Sequence, residues 1–181
     1  WVFAQVTNGA PTSGTLELLS KAREVGTVTA FVGGDAAGAE AALGDFGAAK
    51  AYATGDLGGK LPGVAVAAAM KAVIDGGDAP DLIMFPQNAE GRDVLSRLSV
   101  KLDRTVLTNN IDIAVDGGTV KVTTPIFGGN TLVTTSFAGS APHLASFRPK
   151  SFAAEPSGGG AVAVTAAPVP ALGATGAAAV Q

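Results

Sequence analysis

The chain opens on a short apolar run, VFAQV from Val2 to Val6, that fits a strand. After the turn-rich TNGAPTSG the period changes: in TLELLSKAREVG the residues Leu16, Leu19 and Ala22 recur at helical spacing, and Gly26 stands where a helix stops. TVTAFVGG, residues 27–34, is a continuous apolar run of the kind a strand buried on both faces carries. An alanine-rich helix, AGAEAALGDFG, and a third strand, AKAYATG, come next. LPGVAVAAAMKAVIDGG, from Leu61 to Gly77, has the length and composition of a helix despite Gly63, and DLIMFPQ, residues 81–87, reads as a fourth buried strand. NAEGRDVLSRLSVKLD then sets Val94, Leu95, Leu98 and Leu102 on one face and Arg92, Arg97 and Lys101 on the other, with Asn88 as N-cap.

Strands alternating with helices from Trp1 to Asp103 predict βαβ units, hence an α/β fold of three layers around a mainly parallel sheet. The pattern then switches to period two. IDIAVDGGTVKVTTPIFGGNTLVTTSF is strand, Asp-Gly-Gly turn, strand, Gly-Gly-Asn turn, strand, an antiparallel hairpin region with no room for a helix. Pro125 falls at the end of its strand, just before the turn, where a missing N–H costs little. HLASFRP adds one more strand, and beyond Ser151 the composition becomes Gly/Ala/Pro-rich. The expected organisation is an α/β domain over residues 1–150 and an interdomain linker, or an arm lying on a partner, over 151–181.

Composition narrows the chemistry. There is no cysteine, which removes disulfides, thiolate nucleophiles and Cys-ligated metal sites. Twelve basic residues against fifteen acidic ones leave a net charge of -3, with no electrostatic footprint for nucleic acid. No apolar run reaches the length of about 18 residues that spans a bilayer, and WVFAQV lacks a basic segment ahead of an apolar one. The chain starts on Trp1 rather than Met, so its first strand is expected to be slightly clipped.

Each candidate chemical site has a plainer explanation. GGDAAG, Gly33 to Gly38, links strand to helix where an anion can sit, but it lacks the GxGxxG spacing and follows the second strand, as an ordinary βα turn does. PQNAEG with Arg92 lies at the carboxyl edge of the sheet, where α/β ligands bind, yet an N-cap at Asn88 explains it. The single histidine, His143, has no GxSxG serine to pair with and sits beside Pro142 in a strand context. Asp112 and Asp116 flank a hairpin turn, where Asp is common for backbone reasons. No catalytic residue and no metal ligand is assigned.

TTPIFGGNTLVTTSF followed by FRPKSF resembles the N-terminal domain of electron-transfer flavoprotein alpha subunits. The family's Arg-Pro-Ile-Tyr-Ala-Gly-Asn-Ala segment is matched or nearly matched by Pro125, Ile126, Phe127, Gly128, Gly129 and Asn130, with Thr124 in place of the Arg. Its Arg-Pro segment is matched by Arg148 and Pro149, and its strand-to-helix stretch by Gly91, Arg92, Val94 and Leu95, so the resemblance covers roughly residues 1–150. It implies an adenine-nucleotide-hydrolase-like α/β domain that pairs with the beta subunit. It further implies FAD as the cofactor, held in the family chiefly by a C-terminal alpha domain expected after VPALGATGAAAVQ. The implied electron path runs from acyl-CoA and related dehydrogenases, as in fatty acid oxidation, to a membrane quinone oxidoreductase. The expected place is the cytoplasm of a bacterium or the mitochondrial matrix of a eukaryote.

No flavin-binding residue is transferred to this chain, and no bound AMP is expected, TNGAPTSG being a poor phosphate loop. Phe127 and Asn130, in a turn able to meet a neighbouring domain, are the interface candidates; a hairpin turn with a buried Phe is the competing reading. The alternative function is a stand-alone nucleotide-binding α/β domain of universal-stress type.

Overall fold

A computed structural model describes residues 1–177. Strand β1 (Val2–Ala4) is shorter than its apolar run, because Gln5 turns its backbone away: its N–H donates to Thr15 Oγ1 at 2.8 Å and its carbonyl accepts from Thr12 N at 2.9 Å. Val6–Thr7 (β2) and Ala10–Pro11 (β3) make a small hairpin instead. The helices and strands that follow are α1 (Ser13–Val25), β4 (Val28–Val32), α2 (Glu40–Asp45), β5 (Ala48–Ala53), α3 (Pro62–Asp75), β6 (Leu82–Pro86) and α4 (Ala89–Leu102). Then come β7 (Val106–Asn110), β8 (Asp112–Asp116), β9 (Thr119–Ile126), β10 (Thr131–Ser136), β11 (His143–Phe147) and β12 (Val164–Ala166).

The main sheet has seven strands in the order β12-β5-β4-β1-β6-β11-β7, and every neighbouring pair is parallel. Side chains alternate across it. Val2, Ala4, Ala30, Val32, Met84 and Ala145 meet Leu18, Leu19 and Ala22 of α1 and Leu43 of α2 in one core cluster. Phe3, Phe31, Ile83, Phe85 and Leu144 point the other way, onto Val66, Ala67, Ala69 and Met70 of α3 and Val94, Leu95 and Leu98 of α4. Large rings on the strands are thus matched by small residues on α3, which keeps the layer closely packed.

Strands β10-β9-β8 form a second, antiparallel sheet in that order. It takes the place of a helix layer: Ile113, Val120 and Val122 join the α1-side core. The two sheets are tied by Asn110, a fully buried residue at the end of β7. Its Nδ2 donates to the carbonyls of Leu107 at 2.7 Å and Ser146 at 2.9 Å, and its Oδ1 accepts from Thr124 Oγ1 of β9 at 2.8 Å. Pro125 faces Leu132 of β10 two residues past Thr123, where the β8 ladder ends.

The structure adds detail at a sheet edge and in the tail. VLTNN forms edge strand β7, which the apolar pattern misses because an edge strand with Thr and Asn side chains has no continuous apolar run. The 151–181 stretch, expected as a linker or partner-embracing arm, lies back on its own domain as far as it is described. Ser20 Oγ accepts from Glu155 N at 3.0 Å, Arg23 donates to Glu155 O at 2.6 Å, β12 adds to the β5 edge, and Val162 and Ala167 are buried. The crossing depends on glycine: a Cβ on Gly44 would lie far inside van der Waals contact distance of the Gly160 carbonyl oxygen.

Two outcomes follow from this packing. Gly44→Ala is expected to destabilise the domain by about 2 kcal/mol, since backbone rather than a flexible side chain must yield. Thermal melting reads this as a loss of about 6 °C, and an unchanged melt shows that the crossing is not tight. Asn110→Leu is expected to cost a similar amount, about 2 kcal/mol, by leaving the Ser146 carbonyl and Thr124 hydroxyl without partners. A denaturant midpoint equal to that of the parent chain contradicts it.

Candidate functional site

In an open α/β sheet, ligands bind at the carboxyl ends of the strands where the strand order reverses. Here that point lies between β1, which leads through α1 to β4 on one side, and β6 on the other. The crevice there is about 280 Å³, lined by Gln5, Thr12, Glu17, Pro86, Asn88 and Arg148 among others. Side chains already bridge it. Asn88 Nδ2 donates to Gln5 Oε1 at 2.7 Å, and Gln5 Nε2 donates to Glu90 Oε2 at 2.7 Å.

Both helix N-termini that face the crevice are capped from within. Thr12 Oγ1 accepts from Thr15 N at 3.3 Å, and Asn88 Oδ1 accepts from Gly91 N at 2.8 Å. Gly91 is required because a Cβ there would strike the Pro86 carbonyl. Arg148 is committed on one nitrogen, its Nε donating to Asn109 Oδ1 at 2.7 Å, while Glu17 accepts from Lys150 N at 2.8 Å. Glu17 and Glu90 oppose a phosphate group, and the volume sits at the lower limit of about 300 Å³ for small-molecule pockets.

The GGDAAG turn is equally unsuited to an anion. Gly33 is packed on the Phe3 ring and Val66, Asp35 Oδ1 accepts from Ala37 N at 3.0 Å, and Glu40 occupies the first turn of the six-residue α2. Asn88 is the N-cap of α4, as its position in the sequence indicates.

A wider concavity of about 750 Å³ opens at the amino edge of the sheet, between the end of α1 and the β8–β9 turn. Its walls include Trp1, Asp78, Asp81, Val115 and His143. The carbonyl end of α1, at Val25 and Gly26, adds negative potential to those carboxylates, so a pyrophosphate is repelled. FAD therefore fits neither concavity. His143 stacks on Phe137 at 4.5 Å and 17°. Asp112 pairs with Lys21 at 3.2 Å, and Asp116 with Lys121 at 2.7 Å, whose hydrogen bond holds the Asp116 carboxyl below the usual range. No group of three metal-ligating side chains occurs among the described residues, and no helix among them is long and apolar enough to cross a membrane.

The hairpin tip is different in kind. Phe127, Gly128 and Gly129 form a 3-10 turn in which all three have positive φ, at 49°, 70° and 95°. Phe127 is 79% exposed, so the ring projects outward instead of filling the hairpin. Asn130 lies in the same turn, its N–H reaching the Phe127 carbonyl at 3.4 Å. Beside them on β10, Leu132 is 61% and Val133 37% exposed, and among the described residues β10 pairs with β9 alone. The structure thus brings the two sequence candidates together on an apolar outer edge. Leu132 and Val133 have no mark of their own in the sequence, because alternation in NTLVTTSF does not say that both faces of this strand stay open.

The electron transfer flavoprotein domain family matches residues 1–172. An electron transfer flavoprotein subunit alpha from Syntrophomonas wolfei is 33% identical over 154 residues, 82% of this chain and 47% of that protein. A subunit of the same description from Bacillus subtilis is 35% identical over 60 residues, 33% of this chain and 18% of that protein. The chain spans about half the length of the first of these relatives. With a sheet, hairpin and returning tail that all fall within the matched residues, the chain belongs to the electron transfer flavoprotein domain family.

Proposed function

We propose that this chain is the N-terminal scaffold domain of an electron-transfer flavoprotein alpha subunit, a non-catalytic part of an electron carrier. It pairs with the beta subunit to form the base beside which FAD carries electrons from acyl-CoA and related dehydrogenases to a quinone oxidoreductase. The observation that carries the reading is the hairpin tip: an aromatic ring 79% exposed, on a backbone turn that an aromatic residue rarely adopts. Exposed apolar edges of this kind belong to interfaces. The crevice chemistry supports the rest. Glu17 and Glu90 beside a sealed switch point disfavour the stand-alone nucleotide-binding alternative. The domain's contribution to flavin electron transfer is then geometric: it holds a partner and a flavin domain in place and supplies no proton to the flavin.

Co-expression with the beta subunit of the same genome is expected to give a complex that survives gel filtration. Phe127→Asp is expected to weaken that complex by about 10- to 100-fold, as loss of an aromatic interface anchor does. Its melting temperature stays unchanged, because the ring contributes little to the domain's own core. Unaltered affinity in Phe127→Asp removes the tip from the interface, and failure of the parent chain to associate removes the proposal. The purified chain is also expected to be colourless after expression in flavin-supplemented medium; a stoichiometric flavin absorption band would contradict the fit argument.

A further inference from the structure

Among the side chains of this protein, indole and phenol are the ones most readily oxidised by a single electron, and the chain carries one Trp, one Tyr and no Cys. The fold brings those two together. Trp1 precedes β1, Phe31 lies in β4 and Tyr52 in β5, with Phe31 and Tyr52 opposite each other in register. Their rings close a triangle: Trp1–Phe31 at 5.3 Å, Trp1–Tyr52 at 5.8 Å and Phe31–Tyr52 at 5.8 Å. Phe31 is fully buried, while Trp1 and Tyr52 are half-buried and reach solvent.

Oxidising a phenol makes a strong acid of it, so the step requires a base at the hydroxyl. One is present. Tyr52 Oη donates to Asp78 Oδ2 at 2.5 Å, and the same oxygen accepts from Lys50 Nζ at 2.6 Å. The hydrogen bonds from Lys50 and Tyr52 hold the Asp78 carboxyl below the usual range, so it is ionised at neutral pH.

We propose that Trp1 and Tyr52 form a one-electron relay that drains oxidising equivalents of the organic peroxyl class to a phenol at the surface. The peroxyl radical takes an electron from the Trp1 indole, whose N–H proton goes to water, and is protonated to the hydroperoxide. The indolyl radical is refilled by an electron from Tyr52 and regains a proton from water, while the Tyr52 hydroxyl proton passes to Asp78 and on to solvent. One O–H bond breaks at Tyr52 and one forms on the hydroperoxide. A hydrogen-atom donor of the ascorbate class then restores the phenol. The relay gives an oxidising equivalent an exit other than the buried thioethers Met70 and Met84, whose sulfoxides would disrupt the core. It is independent of any flavin or partner.

Pulse radiolysis with azide radical, which is reduced to azide as it oxidises indole, tests the relay in the purified chain. The indolyl band is expected to decay as the phenoxyl band rises, with one first-order rate that does not change with protein concentration. Tyr52→Phe keeps the ring and the fold, verified by circular dichroism, and is expected to abolish the rise and prolong the indolyl radical. Asp78→Asn is expected to slow the transfer by about tenfold or more, as loss of a positioned proton acceptor does. A rise whose rate scales with protein concentration overturns the proposal, as does the absence of a phenoxyl band or an unchanged rate in Asp78→Asn.

Discussion

A parallel sheet buried on both faces gives none of its central strands a polar side, and covering it is the constraint on which the rest of this domain depends. The chain has few large apolar residues for the task. It places rings on one face, Phe3, Phe31 and Phe85, and sets against them a helix of alanine, valine and glycine whose residues from Gly63 to Met70 are all buried. A helix buried all round needs neighbours on every side. The sheet lies beneath α3, α4 lies beside it, and the returning tail buries Ala167 in the same cluster. The other face is finished by the antiparallel sheet, which contributes Ile113, Val120 and Val122 in place of a helix.

That economy of volume leaves little space for chemistry. Where related architectures leave a crevice, Gly91 closes on the Pro86 carbonyl and three polar side chains, Gln5, Asn88 and Glu90, bridge the gap. Buried polar residues are spent on joining elements: Thr15 holds the end of β1, Ser20 holds the tail, and Asn110, accepting from Thr124, holds the two sheets together. No buried side-chain nitrogen or oxygen among the described residues lacks a partner. Fully satisfied networks of this kind favour one rigid arrangement. With the interior closed, the features left open to solvent include the hairpin tip, where Phe127 is exposed, and the Trp1 and Tyr52 rings at the β1–β5 side.

The alternation of apolar runs with alanine-rich helices shows the βαβ order plainly, because each central strand must be apolar on both faces. Asn88 as a cap and the two hairpin turns are equally legible, since their signals are local. Strand β7 and the tail strand are not, because each sits at a sheet edge where Thr, Asn and Ala suffice. The site follows the same division. Phe127 and Asn130 stand out beside a Gly-Gly turn, but whether the ring is buried depends on the sheet that flanks it. The Asn110 tie and the Tyr52–Asp78 pair require strand order, since β7 meets β9 and the chain after α3 meets β5 only once the sheet is assembled. Periodicity carries no information about which strands become neighbours.

The conformation of Phe127 adds one more step. Its turn contains two glycines, Gly128 and Gly129, that take positive φ at no cost, so a hairpin reversal does not by itself demand a third left-handed residue. Placing an L-residue there costs roughly 1–2 kcal/mol, and such strain persists only where surrounding structure over-determines it. Within this chain the ring is mostly in water, and the neighbouring Leu132 and Val133 are open as well. Packing inside the domain therefore does not account for the strained placement. A partner surface that takes the ring would offset it, and the same surface would cover the free edge of β10. Strain, exposure and an unpaired strand edge thus converge on one small region of a domain whose interior is otherwise closed.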